Sequence, residues 1–226
     1  MRSCSIGQLV AVSVGMPAEH LIDGRLVKTG VFKRPAAGAV RVGPLGAAGD
    51  AQATQPNHGG PDQALSAYST AHYRFWGARF ARDDLSPGIF GENLTIDGMT
   101  EEEVCIGDVL AIGTATLQVT HPRIPCFRLS YRLGLPLFHD EQLKSGRIGY
   151  LLRVLEEGEV EAGQPIVLVE REQRPVSVAQ CIDATLLGQD LPDLLRRLSE
   201  LPNLSQKWRT LVSSRLDACG SAPVNA

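Results

Sequence analysis

The chain has 226 residues, 43% of them hydrophobic, and 22 lysines and arginines against 25 aspartates and glutamates give a net charge of −3. That length suffices for one large core, or for one domain with a small appendage, and nothing in the charge balance suggests the basic field on which non-specific nucleic-acid binding depends. Five widely spaced cysteines (Cys4, Cys105, Cys126, Cys181, Cys219) form no C-x-x-C pair. A zinc ribbon, a thioredoxin motif and a cysteine-ligated iron–sulfur cluster are therefore poorly supported.

The N-terminus, MRSCSIGQLVAVSVGMPAEH, holds a short alternating run without a convincing cleavage site. It reads as a buried first strand rather than a signal peptide. No run approaches the length of a membrane span, so a cytoplasmic protein with reduced thiols is expected. LVAVSV, AVRVG, VLAIG, ATLQVT, YLLRVL and PIVLVE read as strands separated by turn residues. In TATLQVT, Ala115, Leu117 and Val119 alternate with Thr114, Thr116, Gln118 and Thr120, as in a half-buried antiparallel strand. One helix interrupts, with Ser69 as its cap and Tyr68, His72, Phe75 and Trp76 at helical spacing. Many short strands predict a mainly β fold, a barrel or a closed, folded-over sheet, over residues 1–172.

After Pro175 the pattern changes. Ser177 and Gln180 form a capping-box pair opening SVAQCIDATLL, Asp190 and Pro192 open DLPDLLRRLSEL, and LSQKWRTLVSSRL puts Leu204, Trp208, Leu211 and Leu216 on one face. Three short helices over 173–220 should pack together and on the β domain, because alone they bury too little surface. Few basic residues stripe the second and third helices, which favours packing or docking over DNA binding. Residues 221–226 read as a disordered tail.

Four segments carry chemistry. KTGVFKRP places Lys28, Lys33 and Arg34 around a glycine turn, either as a solvated hairpin or as a clamp for phosphate or carboxylate. NHGGPDQALSAY offers Gly59 and Gly60 for close backbone approach to an anion, with His58 and Asp62 as donor and acceptor; an ordinary turn before a helix explains it equally. GIFGENLTIDG sets Glu92 and Asn93 before a strand, where an Asn suits the edge of a heterocycle and a simple turn is the plainer reading. In HPRIPCFRLSYR, Pro122 and Pro125 stiffen the chain around Cys126, and Arg123 and Arg128 favour its thiolate, the form that binds soft metals or attacks electrophiles. His58, His72, His121 and His139 could each serve as base to a cysteine nucleophile, and no spacing selects one. HExxH is absent.

In this order KTGVFKRP, Gly49–Asp50, NHGGPDQA, GIFGENLT, Ile106–Asp108, PRIPCFRL and SGRIGYLLRVLEEGEV resemble the MOSC domain, named for the C-terminal part of molybdenum cofactor sulfurase. The resemblance is closest to its bacterial YiiM-like branch, the N-hydroxylaminopurine resistance proteins, and covers about residues 6 to 170. It implies a MOSC-type β-barrel with a few helices and a C-terminal three-helix unit, binding the molybdenum–pterin cofactor. Cys126 is the implied metal ligand, adding a third sulfur to the two of the pterin dithiolene. Lys33, Arg34, Gly59, Gly60, Glu92, Asn93, Arg123 and Arg128 are the implied cofactor-binding residues, with His58 and Asp62 at the pocket mouth handling protons. The implied activity is reduction of N-hydroxylated bases, hydroxylamines and amidoximes. Electrons would come from a separate protein, the chain lacking a dinucleotide fingerprint, and the C-terminal helices offer a docking surface. A monomer or homodimer without nucleic-acid or membrane partners is expected. A non-catalytic carrier using a Cys126 persulfide, and a metal-free Cys–His hydrolase, are the rival readings. Ala51 and Thr54 stand where family members often carry acids, and Phe127 where tryptophan is common.

Overall fold

The computed structural model describes residues 5–53, 59–189 and 191–220. His58, Thr54, Asn57, Cys4, the Asp190 helix start and the tail 221–226 lie outside the described residues. In chain order the elements are β1 (Ser5–Val14), β2 (Ala18–Ile22), β3 (Arg25–Thr29), β4 (Arg34–Pro35), β5 (Val40–Gly43), β6 (Gly46–Ala47), β7 (Leu65–Ser69), α1 (Thr70–Phe80), β8 (Leu94–Gly98), β9 (Val109–Ile112), β10 (Ala115–Pro122), α2 (Phe127–Leu133), α3 (Phe138–Lys144), β11 (Tyr150–Glu156), β12 (Gly158–Val160), β13 (Pro165–Glu170), α4 (Val178–Thr185), α5 (Pro192–Glu200) and α6 (Gln206–Gly220).

Seven strands close a barrel in the order β13-β9-β10-β11-β7-β8-β1, with β1 returning to β13 and β4 appended to β1. All neighbours are antiparallel except β7 and β8, which run parallel and are joined through α1. A parallel pair needs a long crossover, and α1 supplies it. Ser69 caps this helix by accepting from Ala71 N at 3.3 Å, as the sequence predicts. His72 and Trp76 face inward, whereas Phe75 is partly exposed.

The strand ATLQVT departs from the expected half-burial. Gln118 and Thr120, on its polar face, are as buried as Leu117 and Val119. The C-terminal helices cover that face, and the buried polar groups find partners: Gln118 Nε2 donates to Gly107 O at 3.2 Å, and Thr120 Oγ1 donates to Asp62 O at 2.8 Å and Leu151 O at 3.0 Å. The capping box of α4 forms as the sequence predicts, with Gln180 N donating to Ser177 Oγ at 3.1 Å and Ser177 N to Gln180 Oε1 at 3.0 Å. Helices and barrel share one apolar cluster, in which Leu9, Leu117 and Leu152 join Ile182, Leu198 and Trp208.

KTGVFKRP is not the hairpin turn. That turn lies earlier, at Asp23 and Gly24, both at positive φ (49° and 74°), the Asp-Gly pairing that a tight two-residue turn favours. Lys28–Pro35 runs from β3 into β4 instead. The segment after Pro125 is also more ordered than a loop, since α2 begins immediately after Cys126 and α3 follows.

Candidate functional site

The cleft opens where three segments meet: Thr29 to Lys33, Ala51 to Ala53, and His121 to Arg128. It encloses about 570 Å³. Its position follows from β10. A register shift between Val119 and His121 marks a bulge opposite β11, and the chain then leaves the barrel through Pro122. Arg123 N is held by Gly149 O at 3.0 Å, and the run ends at Cys126, the residue that caps α2. α2 is seven residues long and too short to stand alone. A second apolar cluster fixes it: Leu129 and Leu133 of α2 pack with Tyr68, Trp76, Phe90 and Phe138, and Trp76 and Phe138 meet edge-on at 4.9 Å between centroids.

Lys33, Asn93, Arg123, Cys126 and Arg128, all expected site residues, line this cleft together. Lys33, Arg123 and Arg128 are joined by a fourth cation, Lys207 of α6, while no carboxylate lines it among the described residues. In a chain of net charge −3 this is a locally positive site. Cys126 is half-buried, with Arg128 Nη1 3.6 Å from its Sγ. Arg123 donates Nη2 to Phe90 O at 2.7 Å, and burial holds its guanidinium below the usual range. Its Nη1, like Arg128 Nε, is buried without a partner. Gly91, at φ +75°, leaves Arg123 its room, because a Cβ there would stand 3.2 Å from Arg123 Nη2 and 3.0 Å from Val31 Cγ2.

Behind this lining lies a buried polar network. Lys33 Nζ pairs with Asp50, whose other oxygen accepts from Asn93 Nδ2 at 2.9 Å. Asn93 Oδ1 accepts from Ser66 N at 3.2 Å and Ser66 Oγ at 3.1 Å, and Nδ2 also donates to Ser13 O at 3.2 Å. Its amide is thus engaged with the protein rather than turned to a ligand. Burial pushes the Lys33 ammonium down and Asp50 opposes that push. Glu92 is fully buried behind the lining; its Oε1 accepts from Gly88 N at 2.9 Å, Thr95 Oγ1 at 2.7 Å and the Tyr73 hydroxyl, and its Oε2 has no partner. Arg132, which the sequence reading left unassigned, donates to Val31 O and, at 2.8 Å, to Lys33 O, tying α2 to the Lys33 segment. Burial brings its guanidinium down to about 10.

Other expected residues stand apart. Arg34 is exposed on β4 and does not line the cleft. Gly59 and Gly60 lead into the turn Pro61–Gln63, where Gln63 N donates to Gly60 O at 2.9 Å; of this stretch Gln63 lines the cleft. Asp62 pairs with Arg153 at 2.8 Å and accepts from Gln206 N at 3.4 Å, bracing α6 against the barrel rather than facing the cleft. His72 is taken by Glu101 at 2.6 Å in a buried pair away from the cleft.

His121 and His139 do line the cleft. His139 Nδ1 lies 2.9 Å from Ser130 Oγ and Nε2 lies 3.5 Å from Asp140 Oδ1. His121 is only 2% exposed, and burial, with Lys207 and Arg153 nearby, pushes its imidazole down to about 3. Folded His121 is therefore neutral at pH 7, while the unfolded chain takes up a proton near pH 6.5. The resulting stability is complete above pH 6.5 and is lost as pH falls towards 3, by about 2 kcal/mol between pH 7 and 5. Urea unfolding at the two pH values should show that loss, and His121→Gln should flatten it; an equal loss in both proteins would contradict the assignment.

The family model described as the MOSC domain matches residues 54–167. Protein YiiM of Escherichia coli (strain K12) is 35% identical over 220 residues, which cover 93% of this chain and 90% of that protein. The crystal structure of YiiM from Geobacillus stearothermophilus is similar with a TM-score of 0.78 at 36% identity, over 93% of this chain and 99% of that one. A protein of Gibberella moniliformis (strain M3125 / FGSC 7600) named Reductase is 34% identical over 200 residues, 87% of this chain and 35% of its own length. With the barrel, the cleft and these likenesses together, the chain belongs to the MOSC-domain family, in its YiiM-like branch.

Proposed function

We propose that the chain is a molybdenum-cofactor-dependent reductase of N-hydroxylated compounds: N-hydroxylated bases, hydroxylamines and amidoximes. The observation that carries this reading is a half-buried thiol, Cys126, in a cleft whose described lining has four cations and no carboxylate. No group of three or more His, Cys, Asp or Glu gathers as metal ligands among the described residues. A metal at Cys126 must then bring most of its ligands with it, and a thiophilic metal in an anionic pterin dithiolene does so. The unpartnered buried nitrogens of Arg123 and Arg128 suit such an anion, since buried donors ordinarily have acceptors.

When bound, the cofactor supplies the two electrons that cleave the N–O bond, and two protons complete the release of amine and water. Cys126 holds the metal through its thiolate, with Arg128 offsetting the negative charge. Lys33 and Arg123 face the anionic ligand. Asn93, Asp50 and Glu92 act from behind, fixing Lys33 and balancing the buried arginines. Among the described residues His139, backed by Ser130 and Asp140, is the lining group suited to moving protons. The name of the fungal relative agrees with the reaction type.

The test is molybdenum and pterin content per chain from a host that makes the cofactor, followed by turnover of a hydroxylamine with a chemical reductant. Near-equimolar metal and repeated turnover are expected. Metal retained without turnover would favour the carrier. Equal alkylation of Cys126 in protein made with and without molybdenum would favour metal-free thiol chemistry.

A further inference from the structure

The C-terminal helices enter the cleft at one place. Lys207, in the first turn of α6, is the one lining residue they contribute among the described residues, and no carboxylate there forms an ion pair with it. Next to it Trp208 packs tilted on His121, with 5.6 Å between ring centroids. His121 comes from the barrel, lines the same cleft and is almost wholly buried, yet its Nδ1 has no partner. A buried polar nitrogen is normally satisfied, so a ring left with an orphan nitrogen has hydrogen-bonding capacity that the protein itself does not use. The surrounding charge has the sign that an anion needs. Lys207 and Arg153 both act on the His121 ring, and the Asp62 carboxylate is already engaged by Arg153 and by Gln206 N. The fifteen-residue α6 adds the partial positive charge of its opening N–H groups.

We propose that Lys207 and His121 form a phosphate-monoester subsite at the α6 end of the cleft, built jointly by the barrel and the C-terminal helices. Lys207 supplies an ammonium on a flexible stem to the non-bridging oxygens, and the His121 ring, which lines the same cleft, donates its single N–H. Gln63 stands in the same lining and offers a further amide donor. The subsite gives the helical unit a ligand-binding role beyond packing. The identity of the phosphate rests on the function proposed above: it belongs either to the cofactor or to a nucleotide form of the substrate.

The first experiment is independent of that function. Inorganic phosphate is titrated into the whole chain at constant ionic strength while the His121 ring nitrogens are followed by NMR. A saturable shift is expected in the wild type, weakened roughly ten- to hundredfold in Lys207→Glu and largely kept in Lys207→Arg, as loss of a charge-assisted bond implies. No saturable shift, or an unchanged one in Lys207→Glu, overturns the subsite. The second experiment separates the sources. A fall in pterin content per chain in Lys207→Glu assigns the phosphate to the cofactor. Unchanged pterin, with a raised KM for a 5′-phosphorylated N-hydroxylated nucleoside and an unchanged KM for hydroxylamine, assigns it to the substrate. If neither pterin content nor KM changes, no physiological ligand uses the site and the proposal fails. A wild type without pterin or molybdenum, but with the phosphate shift intact, would sink the reductase reading and leave the subsite standing.

Discussion

Cys126→Ser is expected to leave the fold in place and to lower molybdenum retention by at least about a hundredfold, with a matching loss of N–O reduction. Substituting a group that merely supports a metal ligand already costs about 10–100-fold, so losing the ligand itself should cost no less. Serine offers a hard hydroxyl where a soft metal needs a thiolate. The backbone has little reason to object. Cys126 sits at the cap position of α2 with extended φ and ψ (−121°, 139°) and makes no capping bond through its side chain. Serine is among the preferred residues there, so the cofactor-free variant should melt at or slightly above the cofactor-free wild type. Metal content of protein made with the cofactor and the circular-dichroism melt of protein made without it give both answers. Full metal content in the variant would place the ligand elsewhere.

The second large effect falls on stability. Trp208 is buried between barrel and helices, against His121 and within the shared apolar cluster. Trp208→Ala should cost about 3–5 kcal/mol, and for a domain of this size that lowers Tm by on the order of 10 °C. Leu21→Ala, at a side chain 62% exposed, is the control and should stay within about 0.5 kcal/mol. Equal melting of the two variants would mean that the helices hang loosely on the barrel. The same geometry bears on how the expectation that the C-terminal helices dock an electron donor is to be tested. Deleting 177–217 would strip Val178, Ile182, Leu198 and Trp208 from the core, so charge changes on the exposed faces of α4 to α6 make a cleaner test of that surface than deletion.

What the sequence made legible follows from which forces are local. The extent of strand β10, the Ser69 cap and the Ser177–Gln180 box are set by neighbours within a few residues, and each formed as read, although the polar face of β10 is buried. α2 and α3 escaped notice because prolines and glycines bracket them and their stability comes from Trp76, Phe90 and Phe138, far away in the chain. Burial on both faces of β10 was hidden for the same reason, since its outer cover lies beyond Pro175. In the site, the segments that resemble the family located Lys33, Arg123, Cys126 and Arg128, which gather in one cleft. The neighbour Arg34 turned out to be exposed, because successive side chains of an extended segment point opposite ways. Arg132, His139 and Lys207 carried no motif. Their place at or behind the cleft depends on how α2, α3 and α6 pack, which no local pattern encodes.

The closure of β1 on β13 also governs how the protein is made. Ser5, Gly7 and Gln8 pair with Val167, Ile166 and Pro165, so the first barrel strand waits for nearly the last. On the ribosome the barrel stays open until residue 170 has emerged, and the free edge of β1 is exposed to neighbouring nascent chains throughout. Cys126 is translated well before that point, ahead of His139, Leu151 and Lys207, which complete the lining of its cleft. A cleft that also needs Lys207 of α6 is complete only when nearly the whole chain has emerged, and the open edge of β1 is where aggregation competes with closure.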